Sequence, residues 1–532
     1  MVREAVNAHR RLRIAVYNRY WSTGGGGEKY AGGVAEVLVG DHDVTLIGHE
    51  PIDTPWLGER LNLNLDGVAT LIVDECDSLE RVTAGFDVLI NLSYRSHARN
   101  GAARGIYVVY FPDKPGADMR PWQRFLRSKL LRLSRTDRRM ISFDSGFHEV
   151  DTIRWQEVRW TNGAGVLDVD VPAGREKSLQ LRFGRFIPGG IDRTISVEVD
   201  GSVMATGVLR SARNRFEVIE PLMLRVPVVG RVGQNRVVIR SECGSPAQIL
   251  GNGDNRVLGV PLVSASFSRG PVGAAVSRAS LLTATPLGTE WLESYDVVLA
   301  ISEFTKNWIQ RWWDIESVVL EPPVGLRVPG PKVPMVLSVG RFFAPGRGHA
   351  KKQLELVQAF RALGRFADGW ELHLAGGCSP EDEPYLDEVK SEAEGLAVVF
   401  HVNAAGSELD DLYRRASIYW HATGLDENLD DDPVRAEHFG ITTVEAMSAG
   451  AVPIVINAGG QPEIVRSGVD GYLFDTAEDL VELTARVISD SVLRSAMGES
   501  SIERAKRFDI ASFGARLKAL IDDVEAGGPA QH

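Results

Sequence analysis

Glu437-His438-Phe439-Gly440-Ile441-Thr442-Thr443-Val444-Glu445 runs directly into Ala446-Met447-Ser448-Ala449-Gly450. Two carboxylates stand eight residues apart around a glycine turn that opens a helix. Thr442-x-x-Glu445 has the spacing of a capping box, which predicts a helix start near Thr442. Backbone N–H groups of Gly440 to Thr443 would then be unpaired and face the loop that carries Glu437. A helix start of this kind attracts an anion, while Glu437 can accept hydrogen bonds from hydroxyls on the same ligand. An anion with hydroxyls beside it suggests a sugar phosphate or a nucleotide sugar. The plainer readings are a capping residue for Glu445 and a solvated loop acid for Glu437.

On either side of this stretch, short apolar runs alternate with helical windows. Val336–Val339, Leu372–Ala375, Ala397–Val402, Ile418–His421 and Val452–Ile456 read as strands of one parallel sheet. Leu12–Tyr17, Val44–Ile47, Leu71–Val73, Val88–Asn91 and Ile106–Tyr110 read as a second series, resumed at Tyr295–Ser302 with a helix over Phe304–Trp313. A link rich in proline (Glu321-Pro322-Pro323, Pro329 to Pro334) joins the two. The pattern predicts two doubly wound Rossmann-like lobes, with ligand bound in the cleft outside the strands' carboxyl ends. Between the halves of the first lobe, 141–266 carries short alternating strands such as Val166–Val171, Leu179–Phe183 and Ile195–Asp200. Turn signals at Asn162-Gly163 and Asp200-Gly201 separate them, which predicts an inserted all-β sandwich. Its Trp155 and Trp160 read either as a sugar-stacking platform or as core. The predicted division is 1–118 with 267–328 (first lobe), 119–140 (basic connector), 141–266 (sandwich), 329–510 (second lobe) and 511–532 (C-terminal helix and tail).

Composition narrows the class. A chain of 532 residues, 44% hydrophobic and 24% charged, is that of an ordinary globular protein with more than one core. A net charge of −12 argues against general nucleic-acid binding. Cys76, Cys243 and Cys378 form neither a disulfide framework nor a metal knuckle, which favours a reducing cytoplasm. No window approaches a membrane span. Residues 119–139, however, hold eight Arg or Lys against Asp137 alone, interleaved with Trp122, Phe125, Leu126, Leu130 and Leu133. They read either as an interfacial helix meeting anionic lipid at the inner membrane face or as a connector packed on the lobe.

The Glu-x7-Glu run, with FGITTVEAMSAGAVPIVINAGGQPEIVRSGVDGYLF around and after it, closely resembles the retaining glycosyltransferases of family 4. The resemblance covers about 1–115 and 290–525 and implies a GT-B fold. It places Glu437 against the donor hexose and Glu445 on the ribose hydroxyls, with backbone donors from Gly440, Ile441 and Thr442. An Arg after a Gly and a Lys opening the next helix clamp the diphosphate in that family. Arg341 matches the first, and Lys351 or Lys352 the second. Gly24 to Gly27 sits where the family has a Gly-Gly loop, so Gly26 and Gly27 join the donor side; His421, at a strand end facing the cleft, reads either as a donor-side residue or as a satisfied structural histidine. The family's His after the fifth strand is replaced by Tyr110-Phe111-Pro112-Asp113, to which no role is assigned.

The implied activity is retaining, metal-independent transfer of a hexose from a nucleotide-diphosphate sugar (GDP-mannose or UDP-hexose type) to a saccharide or lipid-linked acceptor, in polysaccharide or glycoconjugate biosynthesis. The nucleotide sugar is a co-substrate and no cofactor is implied. Arg341 and a lysine supply the cations, so Asp430-Asp431-Asp432 reads as a solvated run rather than a metal site. The rivals are a catalytically reduced carbohydrate-binding scaffold and a nucleotide-sugar epimerase on the same fold.

Overall fold

The computed structural model describes residues 10–74, 78–113, 140–153, 156–184, 192–210, 222–245, 257–267, 289–344 and 350–526. Three sheets organise them.

The first lobe is a parallel sheet of β1 (Arg13–Tyr17), β2 (Asp43–Gly48), β3 (Ala69–Ile72), β4 (Val88–Asn91), β5 (Arg104–Val109), β14 (Val297–Ala300) and β15 (Val318–Val319), in the order β15-β14-β5-β4-β1-β2-β3. Alternate residues of β1 enter different cores: Ile14 and Val16 face one cluster, Ala15 and Tyr17 the other. A strand covered on both faces must be apolar throughout, which is why these runs are legible in the sequence. Helices α1 (Gly26–Leu38), α2 (Thr54–Leu61) and α3 (Leu79–Thr83) follow β1, β2 and β3, and α4 (Glu303–Trp313) follows β14.

β5 and β14 are hydrogen-bonded neighbours, Ile106 opposite Val297, yet eight antiparallel strands lie between them in the chain, from β6 (Ile141–Ile153) to β13 (Pro261–Phe267). Seven of them form one connected path whose ends, β10 (Ser202–Leu209) and β11 (Met223–Val229), approach each other, and β6 pairs off that path. Gly207 packs so closely on Leu224 that a Cβ there would lie 2.9 Å from it. Inward residues such as Leu179, Leu181, Ile195, Val197, Val237 and Ile239 fill a single interior. Asp200 and Gly201, both with positive φ (49° and 87°), make the two-residue turn from β9 (Arg193–Val199) into β10. Asn162-Gly163 makes no such turn: β7 (Gln156–Val169) continues through it, with residues 162–165 bulged out of register between Thr161 opposite Phe147 and Val166 opposite Ser145 of β6. Trp160 is core, 2% exposed against Val158 and Leu258. Trp155, Cys76 and the basic stretch 119–139 lie outside the described residues.

The second lobe is parallel in the order β18-β17-β16-β19-β20-β21, built from β16 (Val333–Val339), β17 (Glu371–Gly376), β18 (Val398–Val402), β19 (Ala416–His421), β20 (Val452–Ile456) and β21 (Tyr472–Phe474). Between its strands run α5 (Gln353–Ala362), α6 (Glu383–Glu392), α7 (Gly406–Arg415), α8 (Ile441–Ser448) and α9 (Gln461–Ile464), with α10 (Ala477–Ser489) and α11 (Ser491–Ala505) after β21. The last helix, α12 (Ile510–Glu525), returns to the first lobe. There Phe513 sits edge-on to Tyr30 at 5.7 Å and Gly514 presses on Val37 of α1. Arg507 and Arg516 tie this return to Glu321 of the interlobe link. Among the described residues no helix is long and apolar enough to cross a membrane.

Candidate functional site

The site forms where β16, β19 and α8 meet the start of α1. Helix α8 begins at Ile441, one residue before the predicted start, and the expected capping box does not form. Gly440 precedes it at φ +125° with no side-chain cap, and a Cβ there would strike Gln461 at 2.6 Å. Thr442 instead accepts the Tyr419 hydroxyl at 2.7 Å. The N–H of Thr443 is already bonded to Gly440 (3.0 Å), so it is not one of the open donors the sequence suggested.

Glu437, just before this turn, receives Lys351 Nζ at 2.5 Å and faces His421 Nε2 at 3.0 Å. Lys351 reaches it by lying across Gly340, where a Cβ would come within 2.6 Å of the lysine chain. That close approach requires glycine. Arg341 follows Gly340 at the same end of β16. It is exposed, its guanidinium 5.9 Å from the Phe343 ring, and it has no ion-pair partner among the described residues. Lys352 turns the other way. Held at φ +60°, it is buried and pairs with Glu427 at 2.9 Å, which Arg435 also grips at 2.8 Å. The adjacent lysines thus split: one faces Glu437 and the other secures the loop after β19.

His421, 3% exposed, ends β19. Burial lowers its affinity for a proton, and this outweighs the opposing pull of Glu437. Its Nδ1 has no hydrogen-bond partner among the described residues.

Glu445 is 5% exposed and fully engaged. Lys29 (3.0 Å) and Arg327 (2.8 Å) meet one oxygen, and the Tyr413 hydroxyl (3.0 Å) meets the other. Burial alone would raise its pKa, but Lys29 and Arg327 hold the carboxyl below its ordinary range. Lys29 reaches across from the first lobe, and Arg327 lies in the interlobe link. Neither was legible as a site residue, although Lys29 directly follows the glycine loop.

The glycine loop supplies its own anion. Glu28 accepts Gly25 N–H (2.8 Å), the Thr23 hydroxyl (2.6 Å) and Asn18 Nδ2 (3.1 Å) at the start of α1. Gly26 faces Ile441 across the cleft, a Cβ there lying 3.7 Å from its tip, and a Cβ on Gly27 would lie 3.5 Å from the Tyr110 hydroxyl. Asp113 pairs with Arg95. No cluster of three or more metal-ligating side chains occurs among the described residues. Within the acidic run, Asp432 pairs with Arg435 and Asp431 accepts from Asn428.

The two lobes define a GT-B architecture, and its second lobe carries the family match. Residues 328–504 match the family model described as "Glycosyl transferases group 1". Across 96% of this chain and all of the other, the fold is similar to that of Anabaena HepE, solved in complex with UDP (TM-score 0.51, 11% identity). Among curated proteins, sulfoquinovosyl transferase SQD2 of Arabidopsis thaliana is 24% identical over 184 residues, 34% of this chain and 31% of the relative. The GDP-Man:Man(3)GlcNAc(2)-PP-Dol alpha-1,2-mannosyltransferase of Mus musculus is 26% identical over 253 residues, 41% of this chain and 48% of the relative. The chain thus spans less than half the length of these curated relatives.

Proposed function

We propose that the chain is a retaining hexosyltransferase that uses a nucleotide-diphosphate sugar, of GDP-mannose or UDP-hexose type, and a saccharide or lipid-linked acceptor. The carrying observation is the convergence of Lys351, His421 and Glu437 at an uncapped helix start. The matched group 1 domain and the names of its relatives support the same reading.

In this reading the bond from the anomeric carbon to the diphosphate breaks and its electron pair stays on the phosphate oxygen. Arg341 and Lys351 stabilise that charge, so the step needs no metal. Lys351 passes from Glu437 to the phosphate as donor enters, freeing Glu437 to orient the hexose hydroxyls. The acceptor oxygen attacks from the same face, and its proton goes to the departing phosphate oxygen. Gly440, Ile441 and Thr442 frame the phosphate. Lys352 acts through Glu427 rather than on the ligand. Glu445 offers the ribose only the acceptor capacity left by Lys29, Arg327 and Tyr413. The first lobe, which carries the antiparallel insertion, is assigned to the acceptor side. A cytoplasmic location is proposed, with 119–139 read either as a contact with anionic membrane or as a connector packed on the lobe.

A thermal-shift panel of nucleotide sugars, followed by assay of released nucleotide, tests this. A shift by one base-and-hexose combination with slow nucleotide release is expected. Release lost in Arg341→Ala with folding intact assigns the cation role. A panel with no shift and no release overturns the reading.

A further inference from the structure

Beside Glu437, the ring of His438 leaves the second lobe and enters the first. It lies flat on Phe111, centroids 4.2 Å apart and planes 15° apart, with Phe304 stacked alongside at 6.5 Å. Its carbonyl accepts the Ser302 hydroxyl at 2.6 Å, and Ser302 is fully buried at the start of α4. The same helix start is held from the opposite side. Glu463 of α9 accepts the N–H groups of Glu303 (2.8 Å) and Phe304 (2.7 Å). The loop bearing Glu463 in turn donates Gly460 N–H to the Glu437 carbonyl at 2.8 Å. The backbone of Glu437 is therefore linked to the first lobe through its neighbour His438 and through the Gly460–Glu463 turn, without use of its carboxylate.

We propose that His438 is a positioning residue: docked on Phe111 and Ser302 of the first lobe, it aligns Glu437 with the donor only when the lobes are closed. The donor's diphosphate would meet its cations, Arg341 and Lys351, on the second lobe alone. The acid that orients the hexose would depend on both lobes, so binding can precede alignment. Closure then gates the chemical step and limits wasteful attack by water on a half-assembled site. The inference rests on the donor-site reading above.

Its test is a kinetic split. His438→Ala removes the ring but keeps the carbonyl that Ser302 bonds. It should lower kcat by about tenfold to a hundredfold, the scale of a misplacement near 1 Å. The donor KM should change by less than about threefold, because the cations that hold the diphosphate remain. His438→Phe, which restores a flat ring against Phe111, should recover most of the rate. A kcat for His438→Ala within about twofold of wild type, or no recovery with Phe, overturns the clamp. Lobe geometry gives a readout that needs no turnover. The double variant His438→Ala/Ser302→Ala should show a larger radius of gyration by small-angle scattering, and an unchanged profile overturns the inference as well. Wild type that neither binds nor turns over any nucleotide sugar sinks the donor reading, and scattering then still decides the clamp.

Discussion

Glu437 and Glu445 are the same residue type eight positions apart, yet they occupy opposite physical situations. Glu437 is partly exposed at 18% of its side chain, faces the cleft, and has one lysine and a neutral histidine for company. Glu445 is sealed in, with two cations and a phenol on its two oxygens, one cation from the first lobe and one from the interlobe link. A partly exposed carboxylate whose lysine partner also faces the cleft is fit to exchange that lysine for a ligand. One with three fixed partners is fit to hold lobes together. Spacing alone made them look like a matched pair. Their surroundings make one a working acid and the other mainly a keystone.

The sharpest way to break this contrast is Glu445→Ala, which leaves Lys29 and Arg327 without their shared partner in a largely dry site. A loss of about 3–5 kcal/mol in denaturant unfolding is expected, and a loss below about 1 kcal/mol, the scale of a surface pair, would make Glu445 no keystone. Glu437→Gln should do the reverse. Nucleotide-sugar turnover should fall on the order of 10²–10³-fold, the range seen when one group that acts on the transition state is removed, while the melting temperature stays near that of wild type.

Acid should separate the two as well. His421 is depressed by burial and Glu445 by its two cations, so the unfolded chain takes up protons first at both positions. Stability should therefore decline as pH falls, first through the ordinary imidazole range and then through the carboxylate range. Glu445→Gln should flatten only the second stage, and an unaltered acid limb in that variant would remove the assignment. The smallest effect expected is that of Thr442→Val. It removes a hydrogen bond to Tyr419 rather than a helix cap and should cost about 1 kcal/mol. Glu28→Ala, which removes the real cap of α1, is expected to cost at least as much, near the upper end of about 0.5–2 kcal/mol.

Much of the architecture was legible because its signals are local. Val88–Asn91 and Val452–Ile456 are strands to the residue, since buried parallel strands must be apolar on both faces. Asp200-Gly201 turned as its residue types demand, whereas Asn162-Gly163 became a bulge, because β7 is paired on both sides of it, through Trp160 with β13 and from Ala164 with the next strand. The capping box failed for a similar reason. Glu445 had stronger partners in space than the backbone three residues before it.

The amino-acid sequence by itself determined two doubly wound lobes, an antiparallel insertion, and an acid pair placed around a glycine turn. Those follow from periodicity and from the few conformations open to glycine. Only the tertiary structure decided that Lys351 faces Glu437 while Lys352 turns to Glu427, and that Glu28 fills the start of α1. It also decided that Lys29 closes on Glu445 across 416 residues of chain. Charge pairing depends on distances of 3–4 Å between groups far apart in sequence, and no local pattern encodes such distances.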